Sequence, residues 1–506
     1  MQGGGKGDDV TVVPKRSSRL SKSRFVKGRQ CPKRLWLETY EPDAPELVVD
    51  DALQDIFDQG TEVGRLARER FPGGVLVEEQ HDDPRRLPRT RELLAAGVPA
   101  IFEATFVEDD TYAAIDVLLR ENGGFALIEV KSGTSVKDKY VLDAAIQTHV
   151  ARRAGLDVGR VEIMHLNGEY VHPGPADLFV RQDVTERVRA LLPQIPSEIA
   201  AQLEVLAGDE PTVAIGPHCR DDNGCPFIER CWPGGAGHVL RIHGLGYAKR
   251  FELLAAGIPA IAALPPGYRL NGVQARQHRA CVSGEVVVEP GLRDALAPYD
   301  GVLGFLDFES VGRAIPVWDG TRPWEQIGVQ FSYHEGKLGG PYRHEEFLAA
   351  PGTDPRGEVA RRLVAATRLA DRVVMYTPFE KTQIRKMQRF VPELADELGR
   401  LEARLLDLEK VVHRTVYHPA FAGSFSIKSV LPALCGIAYK DTVEIADGGE
   451  ASAELARLLF YSGTLSPAER AALEKRLLEY CKLDTLAMVK LLERLKGMAG
   501  GWHCWA

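Results

Sequence analysis

The chain has 506 residues, 44% of them hydrophobic and 26% charged, with a formal net charge of −8. That length can bury sizeable cores and fits two to four domains of ordinary globular composition. No apolar run of membrane-spanning length occurs, and the opening "MQGGGKGDDVTVV" has no signal-peptide core. The eight cysteines are too sparse for a disulfide scaffold, so the expectation is a cytoplasmic protein without a membrane partner.

Residues 1–14 read as a disordered tail. Residues 15–34, "KRSSRLSKSRFVKGRQCPKR", carry Lys and Arg with no acid among them. This run reads equally as a solvated basic segment or as a surface that tracks phosphates. From there to Trp232, helical stretches such as "DALQDIFDQGTEVGRLARERF" mix with short strands.

Within that region "FALIEVKSG" predicts a buried strand whose Leu127, Glu129 and Lys131 share one face. The preceding "TYAAIDVLLREN" predicts a second strand carrying Asp116, joined to the first by the turn "ENGG". Charged groups inside apolar strands are costly to bury alone. Asp116 and Glu129 on adjacent strands can hold Mg²⁺ or Mn²⁺, with Lys131 orienting water or offsetting phosphate charge. The bland reading is a half-exposed strand pair with a salt bridge. The helix that follows, "KYVLDAAIQTHVARRAG", carries Tyr140 and Gln147.

Farther on, "PHCRDDNGCPFIERC" sets Cys219, Cys225 and Cys231 at equal spacing in a Pro/Gly-containing turn. Three clustered thiols suit a metal, and zinc is the plain reading. A helical segment, "IHGLGYAKRFELLAAGIPAIAAL", places a G-x-G turn between two apolar stretches. It reads as a helix-hairpin-helix that holds a phosphate at a helix start, or as an ordinary helical hairpin.

The strand "VLGFLDFES" opens a second α/β region, with Asp307 and Glu309 projecting together as a two-metal anchor. "SPAERAALEKRLLEYCKLDTLAMVKLLERL" predicts a long helix with Ser466 as N-cap and Glu469 completing a capping box. Tyr480 and Asp484, four apart, share a face of that helix.

The Asp116, Glu129 and Lys131 pattern, flanked by cysteines, resembles the iron–sulfur branch of the PD-(D/E)XK nucleases, which includes RecB-like, AddB-like and CRISPR-adaptation enzymes. The resemblance implies a restriction-endonuclease-like core over residues 15–235 and a 4Fe–4S cluster on Cys31, Cys219, Cys225 and Cys231, clipping the module's two ends together. It also gives Gln147 a nucleic-acid-binding role. Two departures stand out. Both gaps in the cysteine trio are equal, whereas the family's first gap is shorter, and Gly64 stands where the family often has a metal-binding histidine. Glu103 or Glu62 is then the substitute ligand.

The second set, D-x-E followed by a middle acid and Y-x-x-x-D, resembles the DnaQ-like 3′–5′ exonucleases of the DEDDy type, which are RNase H-like. The resemblance implies that Asp307, Glu309, Glu380 and Asp484 hold two Mg²⁺ or Mn²⁺ ions and that Tyr480 orients the attacking water. Glu380 stands where the family has Asp, and Tyr376 where it has Asn. Asp407 becomes a supporting acid, and Lys428 a contact to the terminal nucleotide.

The expected organisation is therefore an α/β multidomain chain: tail 1–14, iron–sulfur nuclease 15–235, helical linker 236–296 and exonuclease-like domain 297–500. The whole is similar to a bacterial family fusing these two modules. It implies a DNA nuclease with two sites, acting on single strands or duplex ends in repair or defence. A nucleic-acid-binding scaffold with one or both sites degenerate, or a ribonuclease, is the alternative.

Overall fold

The structure, a computed structural model, describes residues 19–81, 83–220, 224–438, 445 and 447–500. The expected tail, 1–14, lies outside the described residues. The protein is mixed α/β and divides into two compact units, residues 1–48, 63–166 and 179–228, and residues 49–62, 167–178 and 229–506. Among the described residues no helix is long and apolar enough to cross a membrane.

The first unit is built on seven strands: β1 (Leu20–Ser21), β2 (Val75–Leu76), β3 (Ala100–Glu108), β4 (Thr111–Glu121), β5 (Gly124–Lys131), β6 (Val158–Leu166) and β7 (Phe179–Asp183). They run in the order β2-β3-β4-β5-β6-β7, with β1 against β4. Strands β3, β4 and β5 form an antiparallel meander, and β6 lies parallel to β5. The β4–β5 connection is the turn expected from "ENGG": Asn122 and Gly123 both take positive φ, 47° and 81°, as a two-residue hairpin needs. The β5–β6 crossover runs through the helix Asp138–Arg153, whose Val141, Ala145, Ile146 and Val150 pack with Leu127 and Ile163 in the core.

Residues 15–18 of the basic run lie outside the described residues. From Lys22 onward the run folds as the helices Lys22–Gln30 and Pro32–Tyr40, and Lys22, Lys27, Arg29, Lys33 and Arg34 pair with acids. Lys27 and Arg34 both bind Glu38. Arg29 lies 3.6 Å from Glu198, and Lys33 lies 2.7 Å from Glu210. The absence of acids within the run conceals these partners, which come from elsewhere in the chain.

In the second unit, β8 (Val287–Val288) pairs with the later β14 (Val416–Tyr417). The main sheet has the order β11-β10-β9-β12-β13, from β9 (Leu303–Val311), β10 (Ile327–Gly336), β11 (Tyr342–Leu348), β12 (Arg372–Met375) and β13 (Leu405–Asp407). The first three strands are antiparallel, and β12 and β13 continue parallel to β9. Side-chain alternation along β9 sends Phe305 into one core, with Leu477, Met488 and Leu492 of the helix Pro467–Gly500. Leu306 and Phe308 enter the opposite core, with Leu363, Ile384 and Met387.

The helix Pro467–Gly500 starts as its sequence predicts. Glu469 N–H donates to Ser466 Oγ at 3.3 Å, and Ser466 N–H donates to Glu469 Oε2 at 2.8 Å, which satisfies two otherwise unpaired donors. The expected linker, 236–296, falls within this second unit. It contains a one-turn 3₁₀ helix Val239–Arg241, the G-x-G turn with Gly244 at φ 61°, and the helices Tyr247–Ala255 and Gly272–Ser283.

Candidate active sites

In the first unit, the antiparallel register pairs Val117 with Ile128, and Asp116 and Glu129 are the next residues along each strand. Asp116 Oδ2 accepts the Val130 N–H at 2.7 Å. Lys131 Nζ donates to Glu129 Oε1 and to Asp143 Oδ2, each at 2.7 Å. Gln147, on the helix Asp138–Arg153, donates to Glu129 Oε2 at 2.7 Å. The Lys131 ammonium also stands 5.2 Å from the centre of the Tyr140 ring. The residues singled out from sequence thus meet in one network.

Two members were not foreseen. Lys22 Nζ lies 3.1 Å from Glu129 Oε1 and 3.8 Å from Asp116 Oδ1. Asp143 is the second partner of Lys131. Lys22 was hidden inside a run of similar cations. Asp143 lies four residues before Gln147 on the same helix, a spacing that could have been noticed.

Of the two substitutes for the absent histidine, Glu103 lies at the Asp116 level. Phe102 pairs with Val117 and Ala104 with Ile115, which leaves Glu103 opposite Asp116. Its φ of 58° is unusual for a residue with a side chain and marks local strain. Arg86 holds its carbonyl at 3.2 Å and its carboxylate at 3.5 Å. Glu62 is exposed and groups with the second unit.

The electrostatics sort these acids. Burial, and then the Glu129 charge, push the Asp116 carboxyl up to about 7 against the pull of Lys22 and Lys131. Burial would raise Glu129 too, but the Lys131 and Lys22 ammoniums beside it and the bonds from Lys131 and Gln147 hold it well below the usual range. For Lys131, burial acts downward, and the Glu129 and Asp143 carboxylates more than reverse it.

In the second unit, ligand oxygens of Asp307, Glu309 and Asp484 lie within 4.8 Å of one another and could hold a metal ion. Among the described residues this is the one group of three or more potential ligands so close. Asp307 and Glu309 come from alternate positions of β9, and Asp484 comes from the long helix packed on that face. Tyr480, buried, sits one turn before Asp484. Cys481 Sγ lies 3.6 Å from Asp307 Oδ2.

Glu380 is delivered by the first turn of the helix Phe379–Phe390, just past β12. It is 3% exposed, and its Oε2 has no hydrogen-bond partner. Lys428 stands 5.5 Å from the centre of the Tyr480 ring. Asp407 caps the helix Leu408–Thr415, accepting the Lys410 N–H at 3.0 Å.

Burial comes first in raising Asp307 and Glu309 well above ordinary carboxyls, followed by the Asp484 charge. Lys428 opposes this at Glu309. Burial also lifts Glu380 to about 8 and pushes the Tyr480 hydroxyl up, with Asp484 adding to it. A dense set of largely buried carboxyls with few internal cations fits a divalent ion; Glu380 lies outside the 4.8 Å group, near enough for the Asp484 charge to raise it.

The cysteines do not form such a group at single-ion spacing among the described residues. Within the first unit, Cys219 is buried, and Cys31 and Cys225 are half-buried. Gln30, beside Cys31, donates to the His218 and Gly224 carbonyls at 3.0 and 3.1 Å, and Arg34 also binds the Gly224 carbonyl. Burial raises the Cys225 thiol, and Cys31 and Cys219 add to the rise.

Residues 304–426 match the family described as a domain of unknown function, DUF2779. No curated protein matches the chain. Among solved structures, the chain is similar to an alkaline exonuclease (LHK-Exo) from Laribacter hongkongensis, at 15% identity and a TM-score of 0.24, over 38% of this chain and 89% of that one. That likeness is too slight to carry an argument about function.

Proposed function

We propose that the protein is a metal-dependent nuclease with two hydrolytic sites, one in each unit, acting on DNA strands or ends. The observation that carries this reading is the cluster of Asp307, Glu309 and Asp484, with ligand oxygens within 4.8 Å of one another. Carboxyls at that spacing, two of them buried and Asp307 half-buried, repel one another and call for a divalent cation. The strand order β11-β10-β9-β12-β13 supports an RNase H-like core for this unit, and the Asp116, Glu129 and Lys131 network supports a restriction-endonuclease-like core for the other.

In the second site, Asp307, Glu309, Asp484 and Glu380 hold Mg²⁺ or Mn²⁺. Bound there, such ions supply a hydroxide at neutral pH and stabilise charge on the leaving oxygen. The Tyr480 hydroxyl, kept protonated by its burial, orients the attacking water. Lys428 offsets charge beside Glu309 and contacts the terminal nucleotide. In the first site, Glu103, Asp116 and Glu129 are the metal-holding acids. Gln147 fixes the Glu129 carboxylate and faces the nucleic acid, and Lys131 meets the attacked phosphate.

The cysteines serve as a structural clip. Zinc holds thiolates at about 2.3 Å each, hence with sulfurs roughly 3.8 Å apart, a spacing the cysteines do not adopt. A 4Fe–4S cluster would rest on Cys31, Cys219 and Cys225, whose flanking residues are tied by Gln30 and Arg34, with Cys231 added by the sequence pattern. Bound there, the cluster cross-links segments distant in sequence.

One observation favours a second reading for the first site alone. Lys22 stands between Asp116 and Glu129, where it neutralises them without a metal. That unit would then bind nucleic acid without cutting it.

The test is incubation of the purified protein with end-labelled DNA and RNA in Mn²⁺. Release of nucleotides from DNA supports the proposal. Cleavage of RNA alone makes the protein a ribonuclease, and cleavage of neither, with binding retained, leaves the scaffold.

A further inference from the structure

A pair of potential ligands lies in the same unit, separate from the Asp307, Glu309 and Asp484 cluster. His243, in the turn before the helix Tyr247–Ala255, faces His413 on the helix Leu408–Thr415, with the two Nε2 atoms 3.2 Å apart. His243 Nδ1 lies 2.8 Å from the Gly423 carbonyl. A carbonyl only accepts, so in the neutral ring Nδ1 carries the proton and Nε2 presents its lone pair. This is how a metal-binding imidazole is commonly oriented, its outer nitrogen tied to a backbone carbonyl.

The spacing points the same way. Two imidazole nitrogens on a tetrahedral zinc ion, each at about 2.0–2.1 Å, lie roughly 3.3 Å from each other. The observed 3.2 Å needs little adjustment. Glu409 precedes His413 by four residues and so shares its helix face, but its carboxylate does not join the two imidazoles at ligand spacing. The Phe425 ring packs edge-on against both imidazoles, at centroid distances of 4.9 and 4.7 Å, and gives the pair an apolar wall.

Gly423 is fitted to this arrangement. Its φ is 85°, and a Cβ added there would fall 2.1 Å from the Arg241 carbonyl oxygen. Only glycine lets the loop approach closely enough for its carbonyl to meet His243.

We propose that His243 and His413 form a two-imidazole binding site for a divalent transition-metal ion, zinc by preference, with solvent filling its remaining positions. Imidazole ligands suit such ions. In the metal-free pair, His413 Nε2–H donates to His243 Nε2. With the ion between the rings, His413 takes its other tautomer, the proton moving to Nδ1 of the same ring. The ion joins the His243 turn to the helix Leu408–Thr415 and so braces the 236–296 segment on the sheet side of its own unit. This site is independent of the nuclease reading and stands or falls without it.

The test uses full-length, untagged protein stripped with a chelator and titrated with Zn²⁺ against a chromophoric competitor, beside His243→Gln and His413→Gln. The expected result is one fewer zinc equivalent in each variant, or an affinity at least tenfold weaker. Repeating the titration with Co²⁺ separates this site from the cysteines, since only thiolates add sulfur-to-metal charge-transfer absorption. Equal stoichiometry and affinity in wild type and variants would overturn the proposal. Should both variants misfold by circular dichroism, carbethoxylation of the wild type decides: zinc must slow modification of His243 and His413, and modification unaffected by zinc refutes the site.

Discussion

Lys22 places its ammonium 3.1 Å from one oxygen of Glu129 and 3.3 Å from the other, and thereby joins a strand-borne acid to a helix more than a hundred positions earlier in the chain. The side chains of Lys22 and Asp116 remain 23% exposed, so the network opens to solvent. Burial alone would lower Lys22, but the Glu129, Asp116 and Asp143 charges hold it well above its ordinary value. It stays charged and competes with any cation for the same two carboxylates. Lys22→Met is therefore expected to tighten Mn²⁺ binding at this site by roughly tenfold, or about 1.4 kcal/mol. Calorimetric titration in an Asp307→Asn background isolates the effect, and unchanged or weaker affinity would show that Lys22 does not compete.

The opposite cation has the opposite role. Lys131 is tied to Glu129 and Asp143 and is the one expected to meet phosphate. Lys131→Met should leave Mn²⁺ affinity within about threefold while lowering cleavage by the first site at least ~100-fold, the range for a group acting in the transition state. A parallel loss of metal affinity would make Lys131 a positioning residue for Glu129 instead.

Glu380 gives a pH signature. Its folded value, about 8, lies above the ordinary 4.5, so the metal-free fold favours its protonated form. The stabilising contribution is complete below the ordinary carboxyl range and is lost as pH rises through about 8. Metal-free wild type should therefore lose several degrees of melting temperature between pH 5 and 8 relative to Glu380→Gln, since a tenfold change in proton affinity is worth about 1.4 kcal/mol. Saturating Mn²⁺ should remove that difference. Parallel melting curves for the two proteins in chelator would contradict the assignment.

Tyr480 is 3% exposed beside Asp484. If its hydroxyl orients water, Tyr480→Phe keeps the packing, leaves Mn²⁺ binding unchanged and lowers 3′-end trimming about 10- to 100-fold. A kcat equal to wild type would assign Tyr480 to the core alone.

The cysteine clip predicts composition. Anaerobically purified protein should contain iron and acid-labile sulfide in near-equal amounts, and Cys219→Ser should lose both. Zinc without iron in the wild type would replace the cluster with a structural zinc site.

Much of this was legible because the elements follow local rules. Alternation along β5 and β9 correctly put Glu129 with Lys131, and Asp307 with Glu309. The Ser466–Glu469 capping box marked the start of the helix that carries Tyr480 and Asp484. Long-range pairing was not legible. Nothing near Lys22 in sequence distinguishes it from Lys27, which binds Glu38, and only the parallel seating of β1 against β4 brings it to Asp116. The same holds for His243 and His413, whose spacing in sequence carries no motif. Asp407, read from the sequence as a supporting acid, caps a helix and binds Lys410 at 2.9 Å, and its charge raises Glu380.

The central claim is two independent hydrolytic sites, and the most direct measurement follows 5′- and 3′-labelled single- and double-stranded DNA in Mn²⁺ with wild type, Lys131→Ala and Asp307→Ala. The account predicts that each variant loses a different set of products, with Asp307→Ala losing stepwise removal from 3′ ends, and that the double variant cuts nothing. Identical product patterns in wild type and both single variants would contradict it.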